Sequence, residues 1–377
     1  MQIADIHYKR IFAMKMSRIL LLADINSAHL KKWAKVLHEG GHKLGIFSLS
    51  KAIDNWYEDL DIELLSNSGF DQDTFRASNT GKVVYFKKRN ELKQAIKMFN
   101  PDFLHAHYAS SYGLLGALSK FHPYFISVWG SDILLFPSNP INRKIIRNNF
   151  KKADKIIVSS KILFERSSAF TKKNIDIIPF GIDTDHFKPL AIERSDKIVI
   201  GTVKSLEKVY GIDILINAFA KVKKEIPQSE LQIIGTGSER ENLQKQVLEL
   251  GIGKDIVFRD NVSQNELPAI YNQFDIAVFL SRSESFGVSV LEASACEIPV
   301  IATATGGLLE VVDHNSTGLH VNPEDINDAA EKILSLIHNE KMRVEMGKAG
   351  RQKVIKEYSL VDTKSAILKL YNKEVQS

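Results

Sequence analysis

Cysteine is almost missing from this sequence: one thiol, Cys296, in 377 residues. A single cysteine excludes an intramolecular disulfide framework and any multi-cysteine metal site, and points to a reducing compartment. Cys296 lies in the apolar stretch EASACEIPVIAT and reads as buried filler rather than a nucleophile. The 11 histidines fall in no zinc-finger spacing, and no metal is expected. No apolar run approaches the roughly 20 residues of a membrane-spanning helix. A signal peptide is not expected, because Lys9 and Arg10 interrupt the N-terminus and the apolar run 19–22 is strand-sized. Residues 1–15 carry no legible pattern and read as a disordered lead. Short repeats and low-complexity tracts are absent too.

What is present is ordinary globular composition, 44% hydrophobic and 25% charged, at a length that suits two domains. The net charge of +5 hides an asymmetry: residues 1–190 hold 28 Lys+Arg against 18 Asp+Glu (+10), and residues 191–377 hold 22 against 27 (−5). A basic half fits nucleic acid, an anionic membrane or an acidic substrate.

Short Val/Ile/Leu-rich runs alternate with helical periods, the pattern of parallel βαβ units. RILLLAD reads as a strand buried on both faces, followed by a helix with Leu30, Trp33, Ala34 and Leu37 on one side, stopped at Gly40-Gly41. KLGIFSL, VVYF, DFLHAH, FISVW, KIIVSS and DIIPF continue as strands. A second series starts at KIVIGTV and runs through LQIIG, DIVFRD, DIAVFLS, PVIAT and GLHV, with helices such as DILINAFAKVKKE and RENLQKQVLEL between them. FGIDTDHFKPLAIERSD has the Gly, Pro and Asp density of a linker. The expected architecture is α/β: two Rossmann-like, doubly wound domains, 1–190 and 191–355, with a C-terminal helical segment, 356–377, packing back on the first. Ligands then belong at the carboxyl ends of the strands, in a cleft between the domains.

The densest chemical signal is SRSESFGVSVLEASACEIPVIATATGG, residues 281–307. A helix beginning near Phe286-Gly287 aims free N–H groups and the positive end of its dipole at an anion, and Gly287 lets a phosphate approach. Glu284 precedes that helix. Glu292, inside it, is an odd choice for a packed face unless something polar, such as a ribose diol, meets it. Gly235 and Gly237 in IIGTGSER form a partial GxGxxG whose third glycine is Arg240, a weak signal for dinucleotide binding.

Glu284 and Glu292, with seven residues between them in ESFGVSVLEA, closely resemble the signature of the family 4 glycosyltransferases of the GT-B fold. LLADINSAHLKKWAKVL, PDFLHAHY, IIPFGIDTDHFKP, IIGTGSERENL and GGLLEVVDHNSTGLHV resemble further pieces of it in the same order, from about residue 18 onwards. The resemblance implies a retaining, metal-independent transferase with a nucleotide-diphosphate sugar as donor, a UDP- or GDP-sugar, and no other cofactor. It implies that Glu292 binds the donor ribose, Glu284 the transferred sugar, and the backbone of Phe286, Gly287 and Val288 the sugar and diphosphate. Gly235 and Gly237 become a donor-side turn, and FRDNV, with Arg259, meets the base. A basic pair on the first loop of the second domain would contact the diphosphate. Lys204 and Lys208 are the candidates here; the family usually has arginine at the first position, and lysine lacks its bidentate fork, which favours Lys208 of the two.

On the acceptor side, Asn26, Ser27 and His29 resemble a variant turn of the first domain. His107, two residues after His105 on one strand, is the better placed of the two for a cleft. In SVWGSD the family commonly has histidine where this chain has Trp129, which leaves Asp132 as the polar residue to watch. The basic amphipathic segment 141–152 suits an anionic membrane surface, and equally a helix packed on its own sheet. These readings imply transfer to a glycan or lipid-linked acceptor in cell-surface polysaccharide or lipopolysaccharide assembly. They place the protein in the cytoplasm, peripherally at the inner face of the membrane, with no nucleic acid as partner. Two alternatives stay open: a sugar-nucleotide epimerase of the same fold, and a catalytically silent nucleotide-sugar-binding partner.

Overall fold

A computed structural model describes residues 16–67, 81–192 and 196–372, without the side chains of 67 and 81–87. The lead expected at 1–15 lies outside the described residues. The chain forms two compact units, one running through Pro179 and rejoined from Thr363, the other Phe180–Asp362.

The first unit alternates β1 (Arg18–Leu22), α1 (Ala28–Glu39), β2 (Lys43–Ser48), β3 (Glu63–Asn67), α2 (Gly81–Phe99), β4 (Phe103–His107), α3 (Ser111–Ser119) and β5 (Tyr124–Val128). It continues with α4 (Ser131–Leu134), α5 (Pro140–Lys152), β6 (Lys155–Val158), α6 (Lys161–Ser168) and β7 (Ile175–Ile177). The strands form one parallel sheet in the order β3-β2-β1-β4-β5-β6-β7. Strands β1, β4 and β5 are buried almost throughout because each face of the sheet carries its own helical layer. Leu20, Leu22, Leu104 and Ile126 pack into one core, and Ile19, Leu21, Phe103 and Phe125 into the other.

The second unit repeats the scheme with β8 (Ile198–Val203), α7 (Ile212–Glu225), β9 (Ser229–Ile234), α8 (Arg240–Glu249), β10 (Ile256–Arg259), α9 (Leu267–Tyr271) and β11 (Ile276–Phe279). Then follow α10 (Val288–Ala295), β12 (Val300–Thr303), α11 (Leu308–Val311), β13 (Gly318–Val321), α12 (Ile326–His338), α13 (Glu340–Glu357) and α14 (Leu360–Lys369). Its sheet is parallel in the order β10-β9-β8-β11-β12-β13.

Three expectations change. VVYF is not a strand but lies inside α2. Leu92, Ala95 and Phe99 fall on the buried face of the same helix, and that helical period carries back through the short β-branched run. The strand beside β2 is instead β3, ELLSN, whose polar composition hides it because it is a sheet edge. The unit boundary lies at Pro179/Phe180 rather than at residue 190. Ile182 and Phe187 belong to the second unit's core, and Ile182 forms a bridge with Ser359. The C-terminal segment divides in the same way: Tyr358 packs in the second unit, while Ile367, Leu368, Leu370 and Tyr371 complete a core of the first.

Candidate active site

Each sheet reverses its winding direction once, between β1 and β4 and between β8 and β11. Loops leaving such a pair diverge and leave a crevice at the strands' carboxyl ends. Several of the residues singled out in the sequence lie at these two points, while Gly235, Gly237 and Arg259 follow β9 and β10, and Trp129 and Asp132 follow β5.

In the second unit, β8 ends beside Lys204, whose Nζ bonds Glu284 Oε2 at 2.5 Å and sits 4.5 Å from the centre of the Tyr210 ring. Both side chains of the ion pair are only 11% exposed, so this contact is shielded from water. Glu284 is carried by the turn after β11, and Gly306 and Gly307 of the TGG turn pack directly on it. A Cβ on Gly306, whose φ is +51°, would lie 2.1 Å from the Glu284 carbonyl oxygen, and Gly307 N–H donates to that oxygen at 2.9 Å. Gly287, with φ +108°, starts α10 and no side chain caps it. The first N–H groups of that helix are those an anion would meet. The Phe286 side chain is core, edge-on to Phe180 and Tyr358, which leaves its backbone for any ligand; Val288 packs partly buried beside it.

Glu292 is 5% exposed and accepts from Tyr271 Oη at 3.0 Å and Gln264 Nε2 at 3.4 Å. A glutamate on a solvated helix face is therefore not what the structure has; a carboxylate is buried among polar partners. Burial, and then Glu292 itself, push the Tyr271 hydroxyl well up.

Lys208 differs from Lys204. Its side chain is 64% exposed, and its ammonium bonds Asp213 at 2.7 Å. Arg282 grips the same carboxylate with both terminal nitrogens (2.8 and 2.9 Å), bonds Glu324 at 2.7 Å and holds the Lys208 carbonyl at 2.6 Å. Burial raises the Asp213 carboxyl, but the hydrogen bonds from Arg282 and Lys208 outweigh it and hold it at about 2. Arg282 and Asp213 were not singled out in the sequence; an arginine two residues before Glu284 was the available signal.

Gly235 and Gly237 serve the packing of this loop. A Cβ on Gly235 (φ +147°) would strike the Lys204 carbonyl at 2.0 Å, and one on Gly237 the Leu206 carbonyl at 2.4 Å. Arg259 ends β10, and its carbonyl accepts from Gly235 N–H at 3.0 Å.

In the first unit, Ser27 caps α1 through Leu30 N–H. Asn26 spends its side chain on the 51–53 loop, donating to Lys51 O (2.8 Å) and accepting from Ile53 N–H (3.0 Å). Asp132 is fully buried and accepts from the backbone N–H groups of Ala109, Gly130 and Trp129 at 2.6, 2.9 and 3.2 Å. It braces the turn that presents Trp129. Burial raises its carboxyl to about 6 against the pull of those amides. His105 is fixed between Tyr371 Oη (2.5 Å) and Ser127 Oγ (2.8 Å). Ser27, His29, His107 and Trp129 share a cavity of about 270 Å³. Burial, reinforced by Lys32, lowers His29 to about 4. His107 is held well below the usual range by burial and then by His105 and His29.

Both units find relatives. Residues 183–353 match the family of glycosyl transferases group 1, and residues 18–160 match the glycosyl transferase 4-like family. N-acetyl-alpha-D-glucosaminyl L-malate synthase of Bacillus anthracis is 27% identical over 349 residues, 86% of this chain and 87% of that protein. Sucrose-phosphate synthase of Thermosynechococcus elongatus has a similar structure, with a TM-score of 0.81 at 20% identity over 96% of this chain and 99% of that one. Anabaena Alr3699/HepE, solved in complex with UDP and glucose, gives a TM-score of 0.75 at 18% identity over 94% and 99%. With both units matched in order and built on the GT-B fold, the chain belongs to the family 4, group 1 glycosyltransferases.

Proposed function

We propose that this glycosyltransferase takes its sugar from a nucleoside-diphosphate sugar, with retention at the anomeric carbon and without a divalent metal ion. The observation that carries this reading is the meeting of Lys204, Glu284 and the start of α10 at the β8/β11 crevice, with the buried Glu292 further along that helix. Glu292 accepts from the ribose hydroxyls and Glu284 from the sugar. The helix N-terminus and Lys204 stabilise the charge that builds on the departing diphosphate. The leaving phosphate itself accepts the acceptor's proton, so positioning matters more than a protein base. That UDP and glucose occupy a protein of the same fold supports this donor class.

The acceptor is a glycan or a lipid-linked saccharide at an anionic membrane. Helix α5 buries Ile146 and Phe150, and it exposes Arg143, Lys144, Arg147 and Lys151. Ile141 and nearby Leu135 stay more than 60% exposed. Apolar side chains next to several bases suit a headgroup surface, where each base contributes on the order of 1 kcal/mol. Among the described residues no helix is long and apolar enough to cross a membrane.

A thermal-shift panel of nucleotide sugars against bare nucleotides tests the donor assignment. A ligand at 100 times its Kd stabilises by about 2.7 kcal/mol. One nucleotide sugar should shift the transition; a panel without any shift would overturn the reading.

A further inference from the structure

The two lysines of the loop after β8 are held in different ways. Lys204 is shut against Glu284 with both side chains nearly buried, whereas Lys208 meets Asp213 from an exposed side chain. Lys208 also borders a cavity of about 330 Å³ against α7 and α8, which gives it room to turn. An exposed lysine–carboxylate pair is weak, because water competes for the ammonium. The stronger contact on Asp213 is the other one. Arg282, on the turn after β11, takes its carboxylate through Nη1 and Nη2 at 2.8 and 2.9 Å, the two-pronged geometry that lysine lacks. The same arginine ties the two loops of the β8/β11 crevice together. Its Nη1 donates to the Lys208 carbonyl at 2.6 Å, and its backbone N–H donates to the Val209 carbonyl at 2.7 Å. Gly211 allows this approach, since a Cβ there would sit 1.9 Å from the Leu280 carbonyl oxygen. Arg282 Nε donates to Glu324 at 2.7 Å, so the charges of Lys208, Arg282, Asp213 and Glu324 cancel.

We propose that Asp213 is the resting partner of Lys208 and that Arg282 is a positioning residue, which keeps Asp213 compensated so that the donor's diphosphate can draw Lys208 away. The proposal rests on the nucleoside-diphosphate-sugar reading above and adds to it how the lysine that the family resemblance sets against the diphosphate is released. The Asp213 side chain is only 24% exposed. A carboxylate so placed holds tightly to a sole cation, because losing it leaves a charge that is poorly hydrated and unpaired. Burial alone raises that carboxyl, and Arg282, ahead of Lys208, outweighs burial and holds it at about 2. Asp213 therefore stays charged and paired when Lys208 departs, while the exposed Glu324 is met by water. Arg282 also keeps the Lys208 backbone in place, so the side chain alone has to move. Without Arg282, Lys208 is the cation left on Asp213, and the diphosphate has to compete with a carboxylate that has no other partner of that charge.

Calorimetry of the full chain with bare UDP and GDP, at one ionic strength and well below each variant's melting midpoint, tests this. Lys208→Ala should weaken the preferred diphosphate by about tenfold, the value of one charge-assisted contact. Arg282→Ala should weaken it to a similar extent, and adding Lys208→Ala to Arg282→Ala should cost little more. Asp213→Asn in the Arg282→Ala protein should regain most of the loss, because it sets Lys208 free. That gain should vanish once Lys208→Ala is added, which a general loss of negative charge near the ligand would not produce. A merely structural cluster gives the opposite order, with each further substitution weakening binding. Arg282→Lys keeps a charge on Asp213 without the grip on both oxygens and should fall between wild type and Arg282→Ala. Should Arg282→Ala fail to fold, Arg282→Lys with and without Asp213→Asn carries the same comparison. Unchanged affinity in Lys208→Ala or Arg282→Ala, no recovery on adding Asp213→Asn, or a recovery that persists without Lys208 would each overturn the proposal alone. A wild type that binds neither UDP nor GDP would overturn the donor reading, and this proposal with it.

Discussion

Replacing Glu292 separates what this residue does for the fold from what it does for the donor. Its carboxylate is buried and takes the Tyr271 hydroxyl at 3.0 Å. Glu292→Ala takes from that buried hydroxyl its carboxylate partner and leaves it Ser289, a cost of about 1–3 kcal/mol. In a domain of this size each kcal/mol moves the midpoint by about 2–4 °C, so the variant should melt roughly 2–12 °C early. Glu292→Gln keeps an acceptor oxygen for Tyr271 and should melt close to wild type. It lacks the charge that strengthens hydrogen bonds from a ribose diol, worth about 1.5–3 kcal/mol. Calorimetry with the preferred nucleoside diphosphate should then show Kd about ten- to hundredfold weaker. A Glu292→Gln protein that melts normally and binds the nucleotide with unchanged Kd would refute the ribose assignment. Equal early melting of both variants would show that Tyr271 depends on the charge rather than on the oxygen.

Arg282→Ala removes the bidentate grip on Asp213 together with the Lys208 carbonyl contact, and should cost about 2 kcal/mol in urea unfolding; a midpoint equal to wild type would show that this cluster contributes nothing. Acidification should destabilise the first unit. His29 and His105, lowered by burial to about 4 and about 3, stay neutral in the fold while the unfolded chain protonates below pH 6.5, so stability falls as pH drops, by roughly 1.4 kcal/mol per unit for each histidine. Asp132, raised to about 6 by burial, gains a proton in the fold and offsets about one histidine below that pH. The urea midpoint should therefore be lower at pH 5 than at pH 7, and equal midpoints would contradict this account. Liposomes containing anionic lipid should co-sediment the protein at low salt and release it at high salt, because screening shortens these fields to about 8 Å at physiological ionic strength. Charge reversal at Arg143, Lys144 and Arg147 should abolish binding, and indifference of the wild type to anionic lipid would remove the membrane from the account.

The alternation of buried strands and helices was legible because parallel sheets need unbroken apolar runs such as RILLLAD and DIAVFLS. The edge strand β3 was not, since an edge has no reason to be apolar on both faces. VVYF shows the converse: four β-branched and aromatic residues take a helix when the following thirteen have helical period. Within the site, Glu284 and Glu292 stood out as carboxylates before and inside a helix start, whereas Lys204 came only from the family resemblance. The grip of Arg282 on Asp213 spans 69 residues of sequence and the His105–Tyr371 bond 266. Such pairings are fixed by tertiary packing and leave no local trace. Asn26 is instructive in another way: its type suggested ligand contact, and the structure uses both ends of its amide to tie down a loop.

The central claim is that donor cleavage at the β8/β11 crevice runs on Lys204, Glu284 and a helix terminus. Chromatography of the nucleoside diphosphate released from each of a panel of nucleotide sugars, in EDTA with saccharide acceptors, measures it directly. The account predicts acceptor-dependent release from one nucleotide sugar, undiminished by EDTA. Lys204→Ala and Glu284→Gln should each lower that release by about a hundredfold, the roughly 2.7 kcal/mol that one preorganised group contributes. Release that requires manganese or magnesium, or that survives both substitutions unchanged, would contradict it.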